Sequence, residues 1–177
     1  MSTTVEAVVG LGSNQGDSVL LLRDALASLD ALAHTRIVRA SRYYRTPAWG
    51  VEDQPDFVNA AALLQTRLEP PELLAAMLEI ERGAGRTRRA DGGDRWGPRT
   101  LDLDLLLHGG RITALPGLSV PHPHLHLRAF ALVPLLEVAP DALIPGIGPA
   151  RDRLAGLATG AIEALPYAPY PADPHPP

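Results

Sequence analysis

Residues 100–107 read TLDLDLLL. Alternation at a period of two puts Leu101, Leu103, Leu105 and Leu107 on one face of a strand and Thr100, Asp102, Asp104 and Leu106 on the other. Both carboxylates then point the same way, with Cα atoms about 6–7 Å apart. Such a strand needs a sheet with an apolar core on one side and a place for two like charges on the other. Side by side, these charges repel at a cost of roughly a few tenths of a kcal/mol or more. A solvated face would relieve the repulsion. Magnesium is the better explanation, because it takes one or two carboxylates and leaves its other octahedral positions to water and phosphate oxygens.

The remaining segments supply the partners for that strand. Residues 5–12, VEAVVGLG, read as a strand, and residues 17–33 as a helix with Val19, Leu22, Leu26, Leu29 and Ala33 on one face. Residues 36–46 read as one β-branched and aromatic strand, and 57–66 as another, in which Phe57, Asn59, Ala61 and Leu63 share a face. A second helix starts at Pro70-Pro71, with Leu73, Met77, Ile80 and Ala84 as its buried stripe and Glu81 at the margin. An edge strand near 111–115, a helix reaching about residue 138 and a last helix over 150–164 complete the chain. The order β-α-β-β-α-β predicts an α+β, ferredoxin-like βαββαβ sandwich with added C-terminal helices and a hairpin. Its helices are expected to cover one sheet face and leave the other for a site.

With 177 residues, of which 46% are hydrophobic, the chain suits one compact domain, expected over residues 1–165. The last 12 residues carry 6 of the 18 prolines, so 166–177 is expected to be an extended or disordered tail. Apolar runs are short, and no basic-then-apolar segment opens the chain, which points to a cytoplasmic protein without a membrane partner. A net charge of −4 speaks against a nucleic-acid partner. The absence of cysteine excludes disulfides, cysteine-zinc sites and thiol nucleophiles. All 16 basic residues are arginine, which excludes P-loop, protein-kinase and Schiff-base lysines. Phosphate, if it is handled at all, falls to arginine.

Arginine is concentrated where that work would be done. Arg82, Arg86, Arg88, Arg89, Arg95 and Arg99 fall within 18 residues upstream of the two aspartates, and Arg99 enters the same strand. Its planar fork can hold phosphate oxygens in pairs. Carboxylates, guanidinium groups and glycines together suit a metal-nucleotide site with a closing loop. GLGSNQG at 10–16 follows a strand and precedes a helix, but the third glycine comes one residue late for a dinucleotide fingerprint. A tight turn capped by Ser13, Asn14 or Asp17, or a turn lining a substrate, remains. The run His122, His124, His126 has the look of a zinc site, yet the interleaved Pro121 and Pro123 disfavour a regular strand, and no further acid or histidine completes a shell. His122 as a phosphate hydrogen-bonder beside Arg128 is more economical. Phe57 shares its face with Asn59, and a stacking ring beside an amide suits a flat heterocycle read at its edge.

Six segments in order, GLGSN at 10–14, YRTPAWG at 44–50, DQPDFVNAA at 53–61, IERGAGRTR at 80–88, RWGPRTLDLDLLL at 95–107 and VPHPHLHLRAF at 120–130, resemble the 6-hydroxymethyl-7,8-dihydropterin pyrophosphokinase family. The resemblance implies transfer of pyrophosphate from ATP to the hydroxymethyl group of the pterin, with release of AMP, in folate biosynthesis. It implies that Asp102 and Asp104 hold two magnesium ions and that Arg86 and Arg99 stabilise charge around the transferring group. ATP contacts carried over are Glu81, Arg88, Trp96, Arg99, Leu105, Ser119, His122 and Arg128. For the pterin they are Thr46, Pro47, Trp49, Phe57, Asn59, Asp102 and Phe130. The chain departs from the pattern at Gly117, where some members carry an arginine, at Leu78, where some carry a polar residue, and in a lengthened 86–97 loop that leaves Arg88 and Arg89 as alternative matches. The protein is expected to be a monomer. The competing reading is a non-catalytic ferredoxin-like module that binds nucleotides or partners.

Overall fold

The protein, seen in a computed structural model, is described over residues 3–48, 54–85 and 101–171. Its elements in chain order are β1 (Val5–Ser13), α1 (Ser18–Asp30), β2 (Thr35–Ala40), β3 (Tyr44–Thr46), β4 (Phe57–Thr66), α2 (Pro70–Gly83), β5 (Asp102–His108), β6 (Thr113–Leu115), β7 (Leu118–Val120), α3 (Ala129–Val138), β8 (Leu143–Ile144), β9 (Gly148–Pro149), α4 (Ala150–Ala155) and β10 (Glu163–Ala164). This is a mixed α/β fold with a six-stranded sheet in the order β10-β3-β4-β1-β5, and β2 also pairs with β4. Every pairing in it is antiparallel. None of the helices among the described residues is long and apolar enough to cross a membrane.

The helix boundaries follow from local chemistry. Asp17 caps α1 by accepting the Leu20 N–H at 3.1 Å, so of the three candidate caps the aspartate serves. Leu22, Ala25, Leu26 and Leu29 form its buried face. Predicted to run to residue 33, the helix stops at Asp30, and Ala33 lies outside it. Pro70 opens α2, and Glu72 reaches back to the Glu69 N–H at 2.9 Å.

The single strand expected over 36–46 is two strands laid end to end along β4. At the break, Ser41 donates its N–H to the Ala61 carbonyl at 2.9 Å and accepts the Ala61 N–H on Oγ at 2.8 Å. The hydroxyl replaces a carbonyl of the ladder, so the chain shifts register without leaving a buried amide unpaired.

Two apolar layers hold the sheet. On one face α1 and α2 pack on Ala7, Val9 and Leu11 of β1, alternate residues of β4, and Leu101, Leu103 and Leu105 before and within β5. Fully burying each leucine stabilises the fold by roughly 1.5–3 kcal/mol. On the other face α3 packs on Val8, Ala61, Leu63, Leu106 and Leu107. That face is therefore not left open along its length. Leu107 also changes sides, because the β1–β5 register shifts between Val8 and Val9, so strict alternation holds only as far as Leu106. After the shift His108 turns inward, with Nε2 hydrogen-bonded to the Leu68 carbonyl at 2.9 Å.

The chain past α3 does not form one long helix. α4 ends at Ala155, and β10 joins the main sheet at the outer edge of β3. Tyr170 then packs against the first core, and its hydroxyl donates to Asp30 at 3.0 Å.

Candidate active site

The α3 layer covers only one end of its sheet face, and the uncovered end is a cleft of about 570 Å³. Its floor is made by β1. Gly10 stands between Ala61 on β4 and Asp104 on β5, and Gly12 stands between Asn59 and Asp102. A Cβ on Gly12 would come within 3.1 Å of Asn59 Oδ1, and one on Gly10 within 3.2 Å of Leu106. These glycines belong to the strand and not to the turn that follows it, and their missing side chains are what hollow the sheet surface. Their two-residue spacing was the legible signal, since it puts both on one face.

Around that floor stand nine of the expected residues. Thr46, Pro47, Phe57, Asn59, Asp102, Asp104, His122, Arg128 and Phe130 all line the cleft. β3 and β4 bring in Thr46, Phe57 and Asn59, with Thr46 directly opposite Phe57. Asn59 is buried and donates from Nδ2 to Thr46 Oγ1 at 2.9 Å. An amide locked in this way presents its carbonyl and second N–H in a fixed direction. Phe130, at the start of α3, carries the Arg128 guanidinium 5.7 Å from its ring centre.

Two groups steady the strand that carries the carboxylates. Among the described strands β5 is an edge, so its outward backbone needs partners. Glu81 accepts the Leu103 N–H at 2.9 Å, and the His122 N–H donates to the Leu106 carbonyl at 3.1 Å. Glu81 is thus buried within the α2 stripe and not at its margin. It braces the outward edge of β5 and does not line the cleft. The His124 N–H donates to His122 Nδ1 at 3.2 Å, which leaves the neutral ring's proton on Nε2. Burial pushes the His122 pKa down, with Asp104 opposing and Arg128 and His124 assisting.

Not all the expected contacts converge. The Leu105 side chain lies in the helix-side core, and Leu105 does not line the cleft. Ser119 is exposed on β7 and does not line the cleft. Trp49, Arg86, Arg88, Trp96 and Arg99 lie outside the described residues. Among the described residues no group of three or more His, Asp, Glu or Cys is gathered tightly enough to hold a metal, so His122, His124 and His126 do not form one. A carboxylate pair over a glycine floor is a donor set that fits a hard cation sharing its shell with water and phosphate.

The model of the 7,8-dihydro-6-hydroxymethylpterin-pyrophosphokinase family matches residues 8–140. The chain belongs to this family. It is 44% identical over 159 residues to a 2-amino-4-hydroxy-6-hydroxymethyldihydropteridine pyrophosphokinase of Methylorubrum extorquens, covering 90% of this chain and 98% of that one. A Pseudomonas aeruginosa protein of the same name is 44% identical over 160 residues, covering 90% and 96%. A crystal structure of Plasmodium falciparum HPPK-DHPS superposes with a TM-score of 0.69 at 15% identity, over 88% of this chain and 46% of that one. At that identity the likeness speaks for the fold alone. The pyrophosphokinase family match ends two residues past α3, yet Leu157, Ala158, Ala161 and Ile162 also line the cleft.

Proposed function

We propose that this chain transfers the pyrophosphoryl group of ATP to 6-hydroxymethyl-7,8-dihydropterin, giving AMP and the pterin pyrophosphate, in folate biosynthesis. The observation that carries the reading is one cleft in a chain of this family that combines Asp102 and Asp104 with Phe57, Asn59 and Phe130. We read the βαββαβ core as ferredoxin-like, with β6–β7, α3, α4 and β10 as additions.

Each half of the cleft has a separate task. Phe57 and Phe130 bracket the pterin, and the amide of Asn59, held by Thr46, pairs with its edge. Pro47 and Trp49 complete that half. Arg128 and the Nε2–H of His122 bind the triphosphate, joined by Arg88, Trp96 and Arg99 and by the backbone at Leu105. Asp102 and Asp104 would hold two magnesium ions, which when bound neutralise the phosphate charge that would otherwise oppose attack. The hydroxymethyl oxygen approaches the β-phosphorus in line, and the bond to the AMP oxygen breaks as the new bond forms. Arg86 and Arg99 stabilise charge at that centre. Positioning and electrostatics are nearly all the protein has to contribute to such a transfer.

The test is AMP formation from ATP, Mg²⁺ and the hydroxymethyl-dihydropterin, with wild type, Asp102→Asn and Asp104→Asn. Wild-type turnover with a loss of at least about 100-fold in each variant is expected. No turnover by the wild type, or full rate in both variants, would overturn the reading.

A further inference from the structure

Four cleft residues, Leu157, Ala158, Ala161 and Ile162, come from the chain beyond the family match and have no part in the reaction as described above. Their segment is held at both ends. At one end Leu157 packs on the α3-side core, and its N–H donates to Leu154 at 3.0 Å. At the other, Glu163 and Ala164 of β10 pair with Arg45 and Tyr44 of β3, and the Leu165 N–H donates to the Tyr43 carbonyl at 2.8 Å. An ion pair between Arg45 and Glu163 at 2.5 Å reinforces the same clip. Between these anchors the chain turns, with the Ile162 N–H on the Thr159 carbonyl at 3.0 Å. A segment pinned this way presents its side chains to the cleft from a fixed position.

The pairing decides which half of the cleft it meets. Glu163 lies opposite Arg45, so the next step of that antiparallel register sets Ile162 beside Thr46. Thr46 in turn holds Asn59 and faces Phe57. The metal-binding candidate Asp104 and the phosphate-binding candidates His122 and Arg128 stand on β5 and the segment leading into α3. None of the four wall side chains carries a charge or a hydrogen-bonding group. Such a wall suits the apolar flank of a bicyclic ring and offers a triphosphate nothing.

Resting on the proposed reaction, we propose that residues 157–162 form a specificity wall for the pterin. Ile162 packs against the ring's flank, and the small size of Ala158 and Ala161 sets how much room the ring has on that side. The wall makes no contact with ATP.

The full-length protein with two substitutions tests this. Ala161→Leu, at an exposed position outside both cores, fills the space the ring needs and is expected to raise the KM for the pterin by about tenfold while the KM for ATP stays within about twofold. Ile162→Ala removes the packing surface and is expected to weaken equilibrium binding of the pterin, measured without ATP, by about tenfold. It decides the matter should Ala161→Leu fail to fold. If the wild type forms no AMP, the reaction itself is wrong. If the wild type is active and the folded variants keep the parent's pterin KM and affinity, or lose ATP and pterin binding equally, the wall alone is wrong.

Discussion

At the scale of single residues, the glycines of β1 count as much as the acids of β5. Gly12→Ala would push a methyl against Oδ1 of Asn59, a side chain already held through its Nδ2 by Thr46. We expect this variant to remain folded and to raise the KM for the pterin by about tenfold, with a smaller change for ATP; steady-state kinetics in each substrate checks it. Tyr43 makes the opposite case. It is fully buried, and its hydroxyl has no hydrogen-bond partner among the described residues. Burying an unpaired hydroxyl costs free energy, so Tyr43→Phe should raise stability by about 1 kcal/mol, read as an upward shift in Tm. The acids and the aromatic-amide pair were legible in the sequence, because a strand's period reports which side chains share a face. The Asn59–Thr46 bond was not, since it spans two strands whose register no local pattern reveals.

At the scale of elements, β5 is an edge strand that carries two carboxylates, and its geometry depends on what braces its outer side. Beside the His122 N–H, Glu81 is such a brace, from a helix stripe whose other buried members are apolar or proline. Glu81→Ala leaves the Leu103 N–H without its acceptor and should lower stability by about 1–3 kcal/mol, measured by denaturant unfolding. Glu81→Gln keeps an acceptor and should lose less. A helical period predicted that Glu81 would lie near the buried face. What it could not reveal was that a backbone N–H of another element waits there. The same limit explains the break between β2 and β3, where Ser41 completes a ladder that belongs to β4.

At the scale of the whole molecule, tyrosines tie separate parts together. Tyr44 donates its hydroxyl to Glu137 and so joins β3 to α3, while Tyr170 ties the C-terminal segment to the end of α1. Burial, as the largest cause, raises the pKa of Tyr43, Tyr44 and Tyr170 above 10, and for the last two a neighbouring carboxylate adds to it. The folded state therefore holds these protons more tightly than the unfolded chain does. Their contribution is fully present below pH 10 and is lost as pH rises through the folded values. Denaturation curves at pH 8 to 11 should show falling stability in that upper range, and Tyr44→Phe should flatten the fall. The sequence by itself determined the strands and helices with a strong period, the pairing of Asp102 with Asp104 on one face, and the family, because these rest on local spacing. Only the tertiary structure decided that α3 covers half of the second sheet face, that two glycines hollow out the other half, and that residues 157–162 return to wall it. Those outcomes depend on register and on contacts between segments more than a hundred residues apart, which local periodicity does not record.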